Sequence, residues 1–245
     1  MSLYARTAAA YAGYRAEEPR IAAAIHAALE DARSVVNVGA GTGAYEPRDR
    51  AVTAVEPEPA MIAARATPAV QASAEALPFA DGSFDAAMAV LTVHHWTDWR
   101  AGAAELRRVA RGPAVVLTWD PAWARALWLV DEYLPELAEV DAHRFPTPEQ
   151  LLDALGGGEL RTVPISHDCR DGFLGAYWRR PHAYLDPAVR ASISVFRLLP
   201  EADVAVAMRR LEADLETGEW ERRNAGLLEL DELDIGFRLW IADYD

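Results

Sequence analysis

The chain has 245 residues, 51% of them hydrophobic, and carries a formal net charge of −14 at neutral pH. That charge argues against a nucleic-acid partner, because binding to a phosphate backbone relies on clustered cations. All 24 basic residues are arginine, which excludes a Walker phosphate loop, lysine Schiff-base chemistry and the Tyr-x-x-x-Lys pair of short-chain dehydrogenases.

The cysteine content and the N-terminal segment bear on the cellular compartment. Cys169 is the one cysteine, so no internal disulfide can form, which fits a reducing cytoplasm. Residues 1–15 lack the apolar core of a signal peptide, and no stretch of the sequence approaches a membrane span. We therefore expect a cytoplasmic protein that does not associate with membranes; the sequence indicates no oligomeric state.

Two helices are predicted ahead of the first strand. Apolar residues recur at helical spacing over residues 4–16 and 19–31, and Pro19 suits a first helical turn. The first strand is predicted at residues 34–39, where a β-branched apolar run precedes a glycine.

This strand leads into three glycines, Gly39, Gly41 and Gly43. Glycines allow positive φ angles and let a ligand approach the backbone. A turn after the first strand of an open α/β sheet is where such folds bind nucleotide-like ligands. Three interpretations compete: a turn without a ligand, a dinucleotide site of the loose form G-x-G-x-x-A, and a site for S-adenosylmethionine.

A second strand, predicted at residues 51–56, ends in Glu56, which is placed to accept both hydroxyls of a ribose. That carboxylate fits a dinucleotide and S-adenosylmethionine equally well. Residues 44–50 alone separate Gly43 from this strand, whereas a parallel crossover normally needs about a dozen residues or more. The helix after the glycine turn must therefore be stunted.

The remaining sequence continues as alternating strands and helices. Strands are predicted at residues 69–73, 84–91, 113–119, 160–167 and 233–243. Helices are predicted from residue 59 and at residues 98–110, 123–134, 171–180, 186–199 and 202–217. A further helix is expected to begin after Thr147 and to end at Gly156. The helices between residues 171 and 231 are expected to roof a substrate pocket, and the core or pocket wall is expected to include Trp123, Trp128 and Trp240.

Five segments occur in an order that resembles the class I S-adenosylmethionine-dependent methyltransferases, in the branch related to ubiquinone/menaquinone C-methyltransferases. They are VVNVGAGTG, VEPEPAMI, ASAEALPFADGSFD, AVLTVHHW and ELRRVARGPAVVLTWDP, and they span roughly the first half of the chain. The resemblance implies an α/β fold with a Rossmann-like, seven-stranded, mostly parallel sheet, an antiparallel last strand and helices on both faces. It also implies a single domain, divided into N-terminal helices (1–32), a cofactor-binding core (33–120) and a C-terminal part with a helical cap (121–245).

The resemblance further implies S-adenosylmethionine as cofactor. The glycine turn would admit its methionine and ribose parts, and Glu56 would hold the ribose hydroxyls. Met61 would pack on the adenine or in its own helix core, and Asn37 stands where many relatives carry an acidic residue. Arg15 would pair with the donor carboxylate, with an exposed amphipathic helix as the alternative. The expected cofactor residues are Tyr11, Tyr14, Arg15, Asn37, Gly39, Ala40, Gly41, Thr42, Gly43, Glu56, Pro57, Met61, Ser73, Ala74, Glu75 and Leu91.

His94 and His95 follow the fourth strand, beside the expected reactive end of the cofactor. Neighbouring strand residues face opposite sides, so at most one of the two would face the methyl group. A histidine can take a proton from a phenol, an amine or a carbon acid; alternatively, His94 makes a structural hydrogen bond and His95 shapes the pocket. We expect His95 to be the base, and no metal, because no carboxylate lies at ligand spacing.

The candidate substrate residues are Trp96, Tyr177, Trp178 and Arg179, with core packing as the alternative for Trp178. The sequence thus predicts an enzyme that methylates oxygen, nitrogen or carbon of a small molecule, of secondary metabolism or quinone-like structure. The alternatives are a nicotinamide-dependent oxidoreductase and a non-catalytic S-adenosylmethionine-binding module. The composition, rich in alanine and arginine without lysine, is typical of a high-GC bacterial genome.

Overall fold

A seven-stranded sheet forms the centre of the protein, whose computed structural model describes residues 14–242. The strands of this sheet follow the order β3-β2-β1-β4-β5-β7-β6, and β7 is antiparallel to both of its neighbours while the other pairs are parallel. The strands are β1 (Ser34–Val38), β2 (Ala51–Val55), β3 (Ala69–Val70), β4 (Ala86–Val90), β5 (Ala114–Trp119), β6 (Glu159–Thr162) and β7 (Phe237–Ala242). The fold predicted from the sequence, with its antiparallel last strand, is confirmed.

The strand order reverses beside β1, since β2 and β3 lie on one side of it and β4 and β5 on the other. Open α/β sheets bind ligands at the carboxyl ends of the strands next to such a reversal. Residues 39–50 connect β1 to β2 as turns without a helix, as the short crossover predicted. The glycine turn therefore lacks the helix that would normally hold it.

The alternation of side chains along the strands divides the core into two layers. On one face, Val35, Met88 and Val115 pack with the first described helix. On the other, Val36 and Val116 pack with the helix that follows β4. Both faces of the sheet are thus covered, as a mostly parallel sheet requires.

Most of the helices are shorter than predicted, but the longest has its predicted length of 16 residues. They are α1 (Pro19–Ala28), α2 (Pro59–Ala63), α3 (Trp99–Val109), α4 (Glu136–Arg144), α5 (Pro148–Leu155), α6 (Pro187–Ser192), α7 (Glu201–Glu216), α8 (Glu219–Arg223) and α9 (Ala225–Leu228). The predicted ends of α5 are confirmed: Thr147 and Gln150 form a capping box, and Gly156 is left-handed. Across residues 14–242, no helix has both the length and the apolar character needed to cross a membrane.

The predicted helix at residues 123–134 is wrong. The chain forms a 3₁₀ helix (Pro121–Ala126) and then a π turn (Leu129–Tyr133). Leu127, Trp128, Leu129 and Val130 are all buried in succession, which a regular helix with one buried face would not achieve. Trp123 is 37% exposed, so its assignment to core or pocket wall is also wrong.

The predicted strand at residues 160–167 is divided in two. Pro164 has no N–H to donate and interrupts the ladder after Thr162. Ile165–Ser166 then pairs with Glu232–Leu233 in a separate two-stranded sheet.

The predicted helices at residues 171–180 and 186–199 are likewise broken into short turns. Leu174–Tyr177 is a 3₁₀ turn, and a Cβ at Gly175 would lie 2.0 Å from the Ile235 side chain, so the backbone is pressed against its neighbour there. The second segment extends at Ile193 before a further 3₁₀ turn, Ser194–Leu198. These turns, rather than regular helices, cover the site described next.

Candidate active site

A cavity of about 390 Å³ opens at the carboxyl ends of β1, β2 and β4, beside the reversal of strand order. This volume lies in the range of small-molecule sites. Among the residues predicted for cofactor binding, those that line it are Arg15, Asn37, Gly39, Ala40, Gly41, Thr42, Glu56, Pro57, Met61, Ser73, Ala74, Glu75 and Leu91.

The glycine turn is held tightly against its neighbours. The amides of Gly39 and Ala40 both donate to the carbonyl of Val55, at 2.9 Å each. Gly39 has a φ of +72°, and a Cβ there would lie 2.0 Å from the Oγ1 of Thr92. Glycine is therefore required at position 39 by both the backbone conformation and the space.

Glu56, at the end of β2, is buried and fixed by two backbone amides. Its Oε2 accepts from the amide of Gly41 at 2.8 Å, and its Oε1 accepts from the amide of Glu58 at 3.0 Å. Each carboxylate oxygen keeps a further lone pair. The carboxylate thus ties the glycine turn to β2 and remains able to accept two hydroxyl groups from a ligand.

Arg65, which the sequence did not single out, holds the glycine turn from behind. Its Nη1 donates to the carbonyls of Ala40 (3.2 Å) and Gly41 (2.9 Å), and its Nη2 donates to both carboxylate oxygens of Glu46 at 2.7 and 2.8 Å. The arginine side chain is 1% exposed. This buried fork takes the place of the missing crossover helix as the support of the turn.

The same ion pair orients Asn37. Its Nδ2 donates to the Oε1 of Glu46 at 3.0 Å, and a carboxylate that is paired with arginine can only accept. The amide oxygen of Asn37 is therefore turned away from Glu46, and no described residue donates to it. It is available to accept a hydrogen bond from an ammonium group in the cavity.

Arg15 and Tyr45 share a buried carboxylate at the wall of the cavity. The guanidinium of Arg15 makes a bidentate pair with Asp171, whose side chain is 1% exposed, and the hydroxyl of Tyr45 donates to the same carboxylate at 2.8 Å. Burial, together with the charge of Asp171, raises the pKa of Tyr45 well above its usual value. The positive charge of Arg15 is thus already balanced by Asp171, and its pairing with a donor carboxylate stays a prediction.

The far wall of the cavity is set by the turn around Glu75. Its Oε1 accepts from the amides of Thr97 (2.7 Å) and Asp98 (3.1 Å). Trp96, predicted to contact the substrate, lines this larger cavity, and its indole N–H is buried without a partner among the described residues. Gly102 on α3 makes room for the indole, because a Cβ there would lie 2.4 Å from the ring.

A second cavity, of about 100 Å³, adjoins the first. The two share Arg15, Leu91 and His95. Leu91 has a φ of +53°, which is uncommon for a side chain larger than glycine and typical of strained functional positions. The second cavity lies under the turns that follow residue 171, the segment predicted to cover a substrate pocket. Its apolar wall includes Leu127, Phe145, Phe173, Ile193, Val195 and Phe237.

The two histidines do not alternate across a strand as predicted. Val93–His95 forms a 3₁₀ turn, so the rings of His94 and His95 lie on the same side, with their centroids 4.0 Å apart. His95 lines both cavities, and His94 lines only the second, stacked on Phe145 at 4.4 Å. The premise that the two histidines alternate across a strand is therefore wrong, and which of them faces the methyl group stays a prediction.

Both imidazoles are kept neutral. Burial lowers the pKa of His95 to about 4, with further lowering by Arg144, Arg15 and Arg197, and burial lowers the pKa of His94 well below its usual value. At physiological pH His95 can therefore accept a proton or a hydrogen bond at the junction of the cavities.

Comparisons with known proteins agree with this geometry. A family model described as a methyltransferase domain matches residues 36–117, which contain the glycine turn, Glu56 and His95. The solved structure of a protein named as a methyltransferase from an antibiotic biosynthesis pathway of Anabaena variabilis is 33% identical. It has a TM-score of 0.87, and the alignment covers 94% of this chain and 98% of that one. The chain belongs to the class I S-adenosylmethionine-dependent methyltransferases.

More distant structures share the fold of this methyltransferase. One from Thermotoga maritima, named as a possible histamine N-methyltransferase, is 25% identical with a TM-score of 0.52, covering 65% of this chain and 84% of its own. The [4+2]-cyclase SpnF is 19% identical with a TM-score of 0.52, covering 91% of this chain and 79% of its own, and shows the fold alone. No functionally curated protein matches the chain in sequence.

Several predicted residues of the methyltransferase lie away from both cavities. Tyr14 and Gly43 line neither, although the amide of Gly43 donates to the carbonyl of Ala40 at 2.9 Å and so shapes the turn. Tyr11 lies outside the described residues. Cys169 is buried, and burial raises the pKa of its thiol to about 12, so the thiol is not activated as a nucleophile.

The predicted substrate residues after position 176 are also placed elsewhere. Trp178 is fully buried, and its indole donates to the carbonyl of Ile165 at 2.9 Å, so it serves the core. Tyr177 is buried and Arg179 donates to the carbonyl of Leu230; neither lines a cavity. The site instead includes residues that the sequence did not reveal: Tyr45, Thr92, Asp141, Arg144 and Arg197.

The environment of His95 in this methyltransferase leads to a direct prediction. We expect its imidazole to titrate near pH 4, compared with about 6.5 for an unperturbed histidine, because burial and three arginines oppose the charged form. Because the imidazole has a higher pKa in the unfolded state than in the folded state, the free energy of unfolding falls as the pH drops from about 6.5 to 4. NMR titration of the imidazole C–H signals, with His95→Gln to assign the resonance, measures this pKa; a midpoint above 6 would contradict the prediction.

Proposed function

We propose that this methyltransferase binds S-adenosylmethionine in the larger cavity and methylates a small molecule held in the second cavity. The observation that supports this most strongly is the meeting of the two cavities at Arg15, Leu91 and His95. Methyl transfer requires donor and acceptor to lie in line at one point, and a shared boundary provides such a point.

The residues of the larger cavity fit the cofactor. Glu56 offers two carboxylate oxygens for the ribose hydroxyls, and the amide oxygen of Asn37 can accept from the ammonium group. A Cβ at Gly41 would have only the Met61 Cε within 4 Å, at 3.5 Å, so this glycine leaves space for a ligand beside the backbone. Ser73, Ala74 and Glu75 supply the wall for the adenine.

The chemistry requires little of the protein beyond binding and orientation. S-adenosylmethionine supplies a methyl group on a positively charged sulfur, which becomes a neutral thioether when the acceptor's lone pair forms the new bond to carbon. The walls around Leu91 hold the acceptor in place and exclude water. The neutral imidazole of His95 accepts the proton that the acceptor gives up, and a low pKa suffices because that proton becomes strongly acidic as the new bond forms.

The proposal also covers the metabolic role of the enzyme, its cellular location and the class of its acceptor. The relative from Anabaena variabilis is named for an antibiotic biosynthesis pathway, which supports a role in bacterial secondary metabolism. The single cysteine supports a cytoplasmic location. The acceptor is a small molecule rather than a nucleic acid, as the net charge of −14 also favours.

Binding of S-adenosylhomocysteine tests the cofactor half of the proposal. Glu56→Gln is expected to weaken this binding by about 10- to 100-fold, because glutamine presents one oxygen where two backbone amides and a ribose need acceptors. Isothermal titration calorimetry on the parent and the variant measures the difference. Glu201→Gln, at the exposed start of α7, is the matched control and should bind like the parent.

Measurement of turnover tests the other part of the proposal, the methylation of a small molecule. Incubation with S-adenosylmethionine and a panel of small acceptors should release S-adenosylhomocysteine together with a methylated product, detected by mass spectrometry. Absence of S-adenosylhomocysteine binding by the parent protein would overturn the proposed function. Binding that Glu56→Gln leaves unchanged would overturn the assignment of that residue.

A further inference from the structure

Asp141, on α4, is a buried carboxyl group that the proposed chemistry does not use. Its side chain is 3% exposed and lines the second cavity. The nearest cation among the described residues is Arg144, whose Nη1 lies 3.8 Å from the Oδ1 of Asp141, too far for a hydrogen bond. No described residue donates a hydrogen bond to this carboxyl.

A buried polar group without a hydrogen bond is unfavourable and calls for a partner. The Nδ1 of His94, which lines the same cavity, is fully buried without a partner among the described residues. A polar ligand in this cavity would supply hydrogen bonds that the described residues do not make.

The electrostatics of the cavity favour an uncharged ligand. Burial raises the pKa of Asp141 to about 7, even though Arg144 opposes the rise, and burial keeps His94 and His95 neutral. The other charged groups facing the cavity are Arg15, which is paired with Asp171, and Arg144 itself.

The size and walls of the cavity favour one flat ring. At about 100 Å³ it is of similar size to the roughly 150 Å³ apolar cavity known to bind benzene, so its volume suits a single ring. Phe145 is stacked on His94, and the rings of Phe173 and Phe237 lie 4.5 Å apart. Flat aromatic walls pack best against a flat aromatic ligand.

We propose that the acceptor is a single-ring aromatic molecule with an uncharged hydroxyl or amino substituent, and that Asp141 accepts a hydrogen bond from that substituent. This inference rests on the proposed function, because it takes the second cavity to be the acceptor site. Asp141 lines the second cavity but not the larger one, so it determines specificity rather than contacting the cofactor.

Phenol and toluene are the probes, since they differ in one hydrogen-bond donor. Each is titrated into the parent, Asp141→Leu and Asp141→Asn proteins, both without ligand and saturated with S-adenosylhomocysteine, and Kd is measured by NMR. The ratio of phenol affinity to toluene affinity is expected to fall by about tenfold or more in Asp141→Leu, whose side chain has a similar shape but accepts no hydrogen bond. Asp141→Asn keeps one acceptor oxygen and is expected to lower the ratio severalfold. Asp153→Asn, at an exposed position of α5, should leave it unchanged.

Two results would overturn the inference. The first is the same affinity ratio in the parent and in whichever Asp141 variants fold. The second is tighter binding of benzoate than of phenol to the parent, which would assign recognition to Arg15 and Arg144. Calorimetry with S-adenosylhomocysteine separates this failure from that of the proposed function. If S-adenosylhomocysteine binds and the ratio of phenol affinity to toluene affinity does not change, only the role of Asp141 is wrong.

Discussion

Replacing Arg65 by methionine is expected to lower the free energy of unfolding by about 3–5 kcal/mol, the usual effect of breaking a buried ion pair from one side. The arginine side chain is 1% exposed, and its loss leaves Glu46 with Asn37 as its only hydrogen-bond donor among the described residues. The carbonyls of Ala40 and Gly41 lose the hydrogen bonds from Arg65 at the same time, and that of Ala40 keeps only the bond from the amide of Gly43. Urea unfolding measures the stability.

Binding of S-adenosylhomocysteine should weaken in the same variant, by about tenfold or more, because the turn that admits the cofactor is no longer held from behind. Arg65→Lys is expected to restore little, since a lysine cannot present the fork that reaches two carbonyls and a carboxylate together. Calorimetry at a temperature where both variants are folded separates this effect from the loss of stability.

Arg161→Met is the matched control for Arg65→Met. Arg161 makes a bidentate pair with Glu159 on the edge strand β6, but both side chains are about half exposed. Its loss is expected to cost less than about 1 kcal/mol, as for other surface pairs. In the double variant Arg65→Met/Glu46→Gln, stability should recover in part, because no buried charge is left unpaired. If Arg65→Met and Arg161→Met lower the free energy of unfolding equally, the buried ion pair of Arg65 does not support the glycine turn.

The local parts of the site could be predicted from the sequence, because they follow from short patterns. The glycine turn after β1 and the carboxylate at the end of β2 are each specified by neighbouring residues, and both line the larger cavity. The length of the connection alone predicted a stunted crossover helix, and the chain forms no helix there. The seven-stranded sheet followed from the order of these segments and from the family resemblance.

The contacts that complete the site could not be predicted, because they join residues distant in sequence. Arg65 reaches back to Glu46, Arg15 pairs with Asp171, and no periodicity indicates either contact. His94 and His95 were placed on a strand, whereas the chain turns into a 3₁₀ helix after Leu91 and brings both rings to one side. Side-chain direction changes with such a turn, and the sequence gives no signal for it.

The residues around the second cavity come from seven separate parts of the chain, including the turns after residue 171 that were predicted as helices. Asp141 lies on α4, where an acidic residue would ordinarily face solvent. It is buried because α4 packs beside the 3₁₀ helix of Pro121–Ala126, a contact that the sequence does not indicate. The proposed acceptor site therefore depends on tertiary packing, while the proposed cofactor site depends on local motifs.

Gly39→Ala is the second substitution with a large expected effect, and it tests whether close packing at the glycine turn is needed. The φ of +72° costs an alanine about 1–2 kcal/mol, and its Cβ would lie 2.0 Å from the Oγ1 of Thr92 and 2.8 Å from the Thr92 Cβ. Relief of that overlap adds about 1–3 kcal/mol. The total, about 2–5 kcal/mol, should lower the Tm by roughly 4–20 °C and abolish measurable binding of S-adenosylhomocysteine, since Thr92 and residue 39 both line the cavity.

Gly218 provides a control with almost the same backbone angle. It lies between α7 and α8 with a φ of +71°, and nothing lies within 4 Å of a Cβ built there. Gly218→Ala should therefore show the conformational cost alone, about 1–2 kcal/mol, with unchanged cofactor binding. Adding Thr92→Ala to Gly39→Ala removes the two side-chain atoms beyond the Cβ and should restore part of the lost stability. If Gly39→Ala and Gly218→Ala are equally stable and bind the cofactor equally well, the overlap with Thr92 has no consequence, and the turn is looser in solution than its hydrogen bonds to Val55 indicate.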